Sequence, residues 1–365
     1  MKLIVDARYT RIGFHDGISR FTSSLLTALK ELMETEHPAA EGLDVVMAIS
    51  DPRQLHMLPE LPYVKICSPT GPLEPFASIQ LNRFRPDVVF SPMQTIGSLG
   101  RKFKLVLTLH DLIYYAHPTP PSFLPKPVQW GWRIFHKSFL PQRLLLNRAD
   151  AVATVSQTTA GLIRRHRLTR QPLFVVPNAP VSNSLISLEA ALKSAPSRTK
   201  QLIYMGSFMP YKNVENLIGA MRLLPDYTLH LLSKIQPARR AELEKIAGAN
   251  VVFENGVSDE RYAQLLAESA ALLTASQDEG YGLPVVEAQA AGCPAVISNI
   301  EIFREIAPHA LHCSPDSAEE FAAAVRSLEE PYVQKQIIAA GLEDAAAFSW
   351  QDSALKLLNL LKNLS

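Results

Sequence analysis

Cysteine is scarce: Cys67, Cys293 and Cys313 are an odd, scattered set without metal-ligand spacing. A disulfide framework is therefore excluded as the organising device, and a cytoplasmic setting is expected. Long apolar runs are missing too. The longest stretch without a charged residue, Gln171 to Leu188, is broken by prolines and asparagines, which a membrane-crossing helix of this hydropathy does not favour. The N-terminal MKLIVDAR sets an acid and two bases within its apolar run, so it reads as a first strand and not as a signal peptide. An excess of either charge is also lacking, since 36 Lys and Arg against 35 Asp and Glu leave a net +1. That excludes a chain that is basic throughout, though not a locally basic surface. Finally, there is no D-x-D pair to hold a metal on a diphosphate, no H-E-x-x-H, no G-x-S-x-G and no Walker lysine loop. Metal-free chemistry without a resident cofactor is the simpler expectation.

What is present is an alternation of short apolar runs with longer amphipathic stretches over 365 residues, 47% of them hydrophobic. Two α/β domains with largely parallel, doubly wound sheets follow. Strands are expected near Leu3–Asp6, Val45–Ile49, Val64–Cys67, Val88–Phe90, Leu105–Leu109, Val152–Val155 and Phe174–Val176. In the second half they are expected near Leu202–Met205, Leu229–Leu232, Val251–Phe253, Ala271–Thr274, Ala295–Ile297 and Leu311–Cys313. The expected division is an N-terminal domain over 1–182, a linker over 183–199 inside the Pro, Ser and Asn-rich stretch Asn178–Lys200, a second domain over 200–347, and a helix over 348–365 able to pack on either domain, the first included. Ligands in such folds bind beyond the carboxyl ends of strands, here in a cleft between the domains.

The near-neutral total hides two opposed halves: residues 1–180 carry 21 Lys and Arg with 13 Asp and Glu, and the remainder carries 15 and 22. Between residues 95 and 170, 12 bases face only Asp111 and Asp150. Within that region Val128–Arg148 mixes Trp130, Trp132, Phe135 and Phe139 with Arg133, Lys137, Arg143 and Arg148. Two readings stay open: peripheral contact with an anionic membrane, or an internal helix interrupted by Pro141 whose bases are merely solvated. No recognition motif accompanies the charge, so nucleic acid is not an expected partner.

The most informative segment is DEGYGLPVVEAQAAGCPAV at 278–296. A strand ending near Thr274 leads into a loop whose Gly280 and Gly282 allow close approach of the main chain, and Pro284 starts a helix. Amides at Tyr281, Gly282 and Leu283 then point at an anion, and Glu287, expected in the first turn, suits the vicinal hydroxyls of a ribose. The plainer alternative is that Glu279 and Glu287 are acids favoured at a helix start. Lys212, after the turn Gly206–Tyr211 and before a helix capped by Asn213, can neutralise a diphosphate or simply be solvated. His110 closes the strand Leu105–Leu109 and projects from its end, as a hydrogen-bonding group or a structural histidine. Gly17 lies in a loop running from Arg8 to the helix that begins at Ile18, where a turn glycine is the ordinary reading. Ser156 fits a helix cap and Asn178 a hinge.

The E-x7-E spacing from Glu279 to Glu287 resembles the signature of retaining glycosyltransferases of the GT4 group. DGISRF at 16–21, LTLHDL at 107–112, ADAVATVS at 149–156, VVPNAP at 175–180 and YMGSFMPYKN at 204–213 follow in the family's order. The resemblance implies the GT-B fold, two Rossmann-like domains facing a central cleft, with the donor on the C-terminal domain and the acceptor on the N-terminal one. It implies that Glu279 approaches the donor sugar, Glu287 the ribose, and Tyr281, Gly282 and Leu283 the sugar or phosphate. His110 would contact the sugar, Lys212 with Gly206 and Ser207 the diphosphate, and Gly17 the phosphates and acceptor, so that His110, Lys212 and Glu279 are the catalytic set. Ser207 and Tyr211 depart from the pattern, since many relatives carry a second cation in this loop; Arg20 is a candidate replacement. The expected activity is retaining hexosyl transfer from a nucleotide diphosphate sugar, GDP-mannose by likeness to bacterial mannosyltransferases. The expected acceptor is a glycan or lipid-linked acceptor of cell-envelope polysaccharide synthesis, met at the inner face of the membrane. A catalytically degenerate sugar-nucleotide binding protein or partner subunit is the alternative.

Overall fold

The apolar runs pair into two all-parallel sheets in the computed structural model, which describes residues 1–120, 126–181 and 184–364. One unit comprises Met1–Asn178 and the segment from Ser349 onward. Its strands are β1 (Lys2–Asp6), β2 (Asp44–Ile49), β3 (Tyr63–Lys65), β4 (Val88–Ser91), β5 (Lys104–Leu109), β6 (Ala151–Thr154) and β7 (Leu173–Val175), in the order β3-β2-β1-β4-β5-β6-β7. The other unit, Ala179–Phe348, holds β8 (Thr199–Tyr204), β9 (Thr228–Leu231), β10 (Val251–Phe253), β11 (Ser269–Thr274), β12 (Ala295–Ser298) and β13 (Leu311–Cys313), in the order β10-β9-β8-β11-β12-β13. The expected strands are all found, because strands buried on both faces read as continuous apolar runs. β2 and β5, for example, are buried at every position but their first.

Parallel pairing sets all carboxyl ends of a sheet along one edge. Strand order reverses between β1 and β4 in one sheet and between β8 and β11 in the other, and such switch points are where open α/β sheets leave room for ligands.

The first unit carries α1 (Gly17–Glu34), α2 (Ala77–Asn82), α3 (Ile113–Ala116), α4 (Lys126–Phe135), α5 (Leu140–Leu146) and α6 (Gln157–Arg165). The second carries α7 (Leu188–Ser194), α8 (Val214–Ala220), α9 (Pro237–Glu244), α10 (Asp259–Glu268), α11 (Leu283–Ala290), α12 (Glu301–Ile306), α13 (Ala318–Ser327) and α14 (Pro331–Ala346). The last helix, α15 (Trp350–Lys362), belongs to the first unit. Asp16 caps α1 by accepting from the Ser19 amide at 2.8 Å, so the helix starts at Gly17, one residue earlier than expected. Phe21, Leu25, Leu29 and Leu32 form its buried stripe, and Phe21 meets Trp350 of α15 edge-on at 5.9 Å. Burying Trp350, Leu357, Leu358 and Leu361 stabilises this contact by on the order of 1.5–3 kcal/mol per side chain.

The division of the chain falls after Asn178, whereas the boundary read from sequence at 182 and 183 lies outside the described residues. Most of the stretch read as a linker is helix: Ser187 caps α7, and Ala191 and Ala195 pack against Ile338 and Leu342 of α14. Pro141 does not interrupt a helix; it sits in the first turn of α5, where its missing amide hydrogen costs nothing. Ser156 caps α6, accepting from the Thr159 amide at 3.0 Å. No helix among the described residues is long and apolar enough to cross a membrane.

Candidate functional site

In the second unit the loops after β8 and β11, neighbours across the switch point, are knit together. The Gln277 amide donates to the Tyr211 carbonyl at 2.8 Å. Lys212 ends a short 3-10 turn, Pro210–Lys212, and its ammonium donates to Glu279 Oε1 at 2.5 Å. The same oxygen accepts from Ser276 Oγ at 2.8 Å. Both charged side chains are 13% exposed, shielded enough for the attraction to exceed that of a surface pair. An ammonium has three donors, so two are left for an anionic ligand. The Tyr211 ring centroid lies 5.3 Å from the Lys212 ammonium, so an aromatic face is set against this cation.

Beyond Glu279 the backbone turns into α11 through Gly282, in the left-handed region at φ +104. A Cβ there would come within 2.6 Å of Phe303 Cε1 and 3.2 Å of Ile306 Cδ1, so glycine is required twice over. Among the described residues no side chain caps α11. The Val285 amide donates back to the Gly282 carbonyl at 2.9 Å, and among the described residues the amides of Gly282 and Leu283 have no acceptor. An uncapped helix start with amides of this kind is suited to an anion. Gly282→Ala should lower the stability of this unit by about 2–4 kcal/mol, combining left-handed strain with overpacking; urea unfolding checks it.

Glu287 departs from expectation. It is the fifth residue of α11 and 6% exposed, one turn deeper than the first turn. Tyr281 is buried, edge-on to Phe348 at 6.0 Å, and burial pushes its phenol far above the usual range, so the hydroxyl stays neutral. Asn213 occupies the cap position of α8 but does not cap it: its backbone is left-handed, and its amide donates to the Pro315 carbonyl at 2.7 Å. Gly206 donates its amide to Ser233 Oγ at 3.0 Å, and a Cβ on it would sit 2.8 Å from the Tyr204 hydroxyl. That hydroxyl donates to the carbonyl of Ser207, whose side chain is exposed.

In the first unit His110 follows β5. Its Nε2 donates to the Pro92 carbonyl at 2.7 Å, and Phe21 meets the ring edge-on at 5.2 Å. Burial holds the imidazole below its ordinary value, so it is neutral and Nδ1 is left as an acceptor. Since the folded pKa lies below the unfolded one, the folded state binds fewer protons as pH falls through 6.5, and stability drops. His110→Gln should flatten the fall of the unfolding midpoint between pH 6.5 and 5. The carbonyl of His110 accepts from Thr159 Oγ1 at 3.3 Å. Beside the ring is a cavity of about 150 Å³ lined by His110, Asp111, Gln94, Tyr114, Tyr115 and His136.

Gly17 is exposed and has no atom within 4 Å of where a Cβ would stand. Nothing among the described residues requires glycine there; the left-handed glycine of the preceding loop is Gly13. Sequence reasoning passed over what holds that loop. Arg8, wholly buried, donates to both oxygens of Asp6 at 2.7 and 2.9 Å and to Glu74 at 2.5 Å. Gln54 Nε2 donates to the carbonyls of Arg8 and Thr10 at 2.8 and 2.9 Å. Behind α11, buried Asp344 accepts from Gln289 at 3.0 Å and lies 2.7 Å from His309 Nδ1. Glu74 and Gln54 lie far along the chain from Arg8, as Asp344 does from Gln289, so neither network left a signal in local pattern.

Two family models cover most of the chain: "Glycosyltransferase Family 4" matches residues 17–179 and "Glycosyl transferases group 1" residues 190–344. The serotype-specific mannosyltransferase WbdA of Escherichia coli is 32% identical over 249 residues, 60% of this chain and 29% of WbdA, so the chain spans less than a third of that relative's length. The O-antigen chain mannosyltransferase B of Escherichia coli is 26% identical over 279 residues, 72% of this chain and 71% of the relative. Sucrose-phosphate synthase from Thermosynechococcus elongatus superposes with a TM-score of 0.74 over 100% of this chain and 98% of its own, at 18% identity, a likeness of fold.

Proposed function

Because the chain belongs to the GT4-type glycosyltransferases and has their GT-B fold, we propose that it moves a mannosyl group from GDP-mannose to a glycan or lipid-linked acceptor with retention of anomeric configuration. The observation that carries this reading is the Lys212–Glu279 pair beside the uncapped start of α11. Lys212 and the amides of Gly282 and Leu283 meet the diphosphate as the bond between the anomeric carbon and the β-phosphate oxygen breaks and negative charge collects on the leaving group. Glu287 accepts from the ribose hydroxyls, and neutral His110 accepts from a sugar hydroxyl through Nδ1. The acceptor hydroxyl adds to the same face of the sugar, its proton passing to the departing phosphate oxygen, so retention needs no enzymic nucleophile. The mannosyl assignment is supported by two relatives that are named mannosyltransferases.

The cavity beside His110 offers an aromatic wall at Tyr114 and His136 with polar groups at Gln94 and Asp111, a lining suited to one sugar ring of the acceptor. Gly17→Ala separates folding from function here. Stability should hold or rise by about 0.5–1 kcal/mol, since alanine suits a helix better, while kcat/KM falls at least tenfold because a methyl group enters ligand space.

A thermal-shift comparison of GDP-mannose, UDP-glucose and ADP-glucose, followed by a hydrolysis assay on the best ligand, tests the donor. The largest stabilisation is expected with GDP-mannose; a shift with UDP-glucose alone would end the mannosyl reading. Ser207 and Tyr211 also support a second reading, a protein that binds donor without turning it over. Its mark is donor-dependent stabilisation with no GDP release in the presence of any acceptor.

A further inference from the structure

Helix α4 has no buried residue. At 100° per residue, Lys126, Trp130, Arg133 and Ile134 share one side, and Lys137 follows in line just past the helix end. Trp130 is 69% exposed and Ile134 45%. The other side is partly covered: Trp132 meets Tyr114 edge-on at 5.0 Å and His136 meets Tyr115 at 5.1 Å, while Val128 on that side is exposed. His136 is held below its ordinary pKa by burial, and the acid on this inner side is Asp111, which lines the cavity with Tyr114 and His136. The two readings of the segment thus divide between the helix faces. Trp132 is packed inward, whereas Trp130 and Ile134 stand in water with bases around them.

The charge along this stretch of the chain is of one sign. No Asp or Glu occurs between Asp111 and Asp150, and Lys126, Arg133, Lys137, Arg143 and Arg148 all do. Asp150 is taken up by Arg101 at 2.7 Å and Lys104 at 3.9 Å. An exposed Trp and Ile flanked by three cations is the composition of a helix that lies in the headgroup layer, its indole at the polar boundary and its bases on anionic headgroups. On α5 the exposed pair Leu140 and Leu144, one turn apart, extends the run of uncovered apolar residues along the chain.

We infer that the outward face of α4 docks on an anionic lipid bilayer. The inference goes beyond the transfer reaction and places the enzyme where a lipid-linked acceptor is presented. Co-sedimentation of the full chain with phosphatidylcholine vesicles, with and without phosphatidylglycerol, tests it. Binding is expected only with the anionic lipid, strongest at low salt, with a blue shift of tryptophan emission. Lys126→Gln/Arg133→Gln/Lys137→Gln should weaken binding about 100-fold, near 1 kcal/mol per base, and Trp130→Ser about tenfold. GDP-mannose affinity should be unchanged in both variants, so loss of vesicle binding and failure of the donor reading are told apart. Equal binding to neutral vesicles, no binding at low salt, or variants that bind like the parent would overturn the inference. So would heparin binding that depends on the three bases while Trp130→Ser leaves vesicle binding intact, which would mark a site for a soluble polyanion.

Discussion

Lys212→Ala is expected to lower the rate of GDP release from GDP-mannose by about 10²–10³-fold, the range seen when one preorganised group facing a developing oxyanion is removed. KM should change little, because the ammonium matters most once the bond to the diphosphate is breaking. With Ser207 and Tyr211 in this loop, no second cation of the usual pattern stands ready to substitute. The substitution also strips Glu279 of its 2.5 Å partner, so part of the loss could come from a disturbed loop. Lys212→Ala/Glu279→Ala removes that ambiguity. If the two residues act as one unit, the double variant falls scarcely below the worse single one. An active Lys212→Ala enzyme would show that another group neutralises the diphosphate.

The second large effect is expected at Glu287. A carboxylate accepting from two ribose hydroxyls makes charge-assisted bonds, each contributing about 1.5–3 kcal/mol. Glu287→Gln keeps the shape of this buried side chain and one acceptor, so the loss should be about 2–3 kcal/mol, a 30- to 150-fold weaker hold on GDP. Calorimetry with GDP and with 2′,3′-dideoxy-GDP makes the test specific. In the parent enzyme the dideoxy compound should bind weakly; in Glu287→Gln the gap between the two should shrink to about that of one neutral hydrogen bond. A variant that keeps the parent's full preference for the diol would remove Glu287 from the ribose.

The strands were legible because burial on both faces writes itself as apolar runs, whereas α1 starts one residue before the expected Ile18, because Asp16 caps the helix ahead of Gly17. Other features depended on tertiary facts. α7 was hidden because its packing surface is two alanines among Ser, Pro and Lys, a pattern weaker than the turn-forming residues around it. The spacing Glu279–Glu287 identified the α11 region, yet the depth of Glu287 turned on where the helix starts, and a left-handed Gly282 fixed that. The pairing of Lys212 with Glu279, 67 positions apart, follows from β8 lying next to β11, and strand order is not written in local pattern. Nor was the network of Arg8, Asp6 and Glu74, since Glu74 comes from a distant loop. The faces of α4 were undecided until the contacts of Trp132 showed which side is inward.

The most direct test of the whole account is to incubate the protein with GDP-mannose labelled with ¹³C at C1 and follow the anomeric signal by NMR. The account predicts that the donor is consumed, that the first-formed product, glycoside or free sugar, is the α anomer, and that Lys212→Ala all but stops the change. A β-configured product, or an untouched donor under conditions where GDP binds, would contradict it.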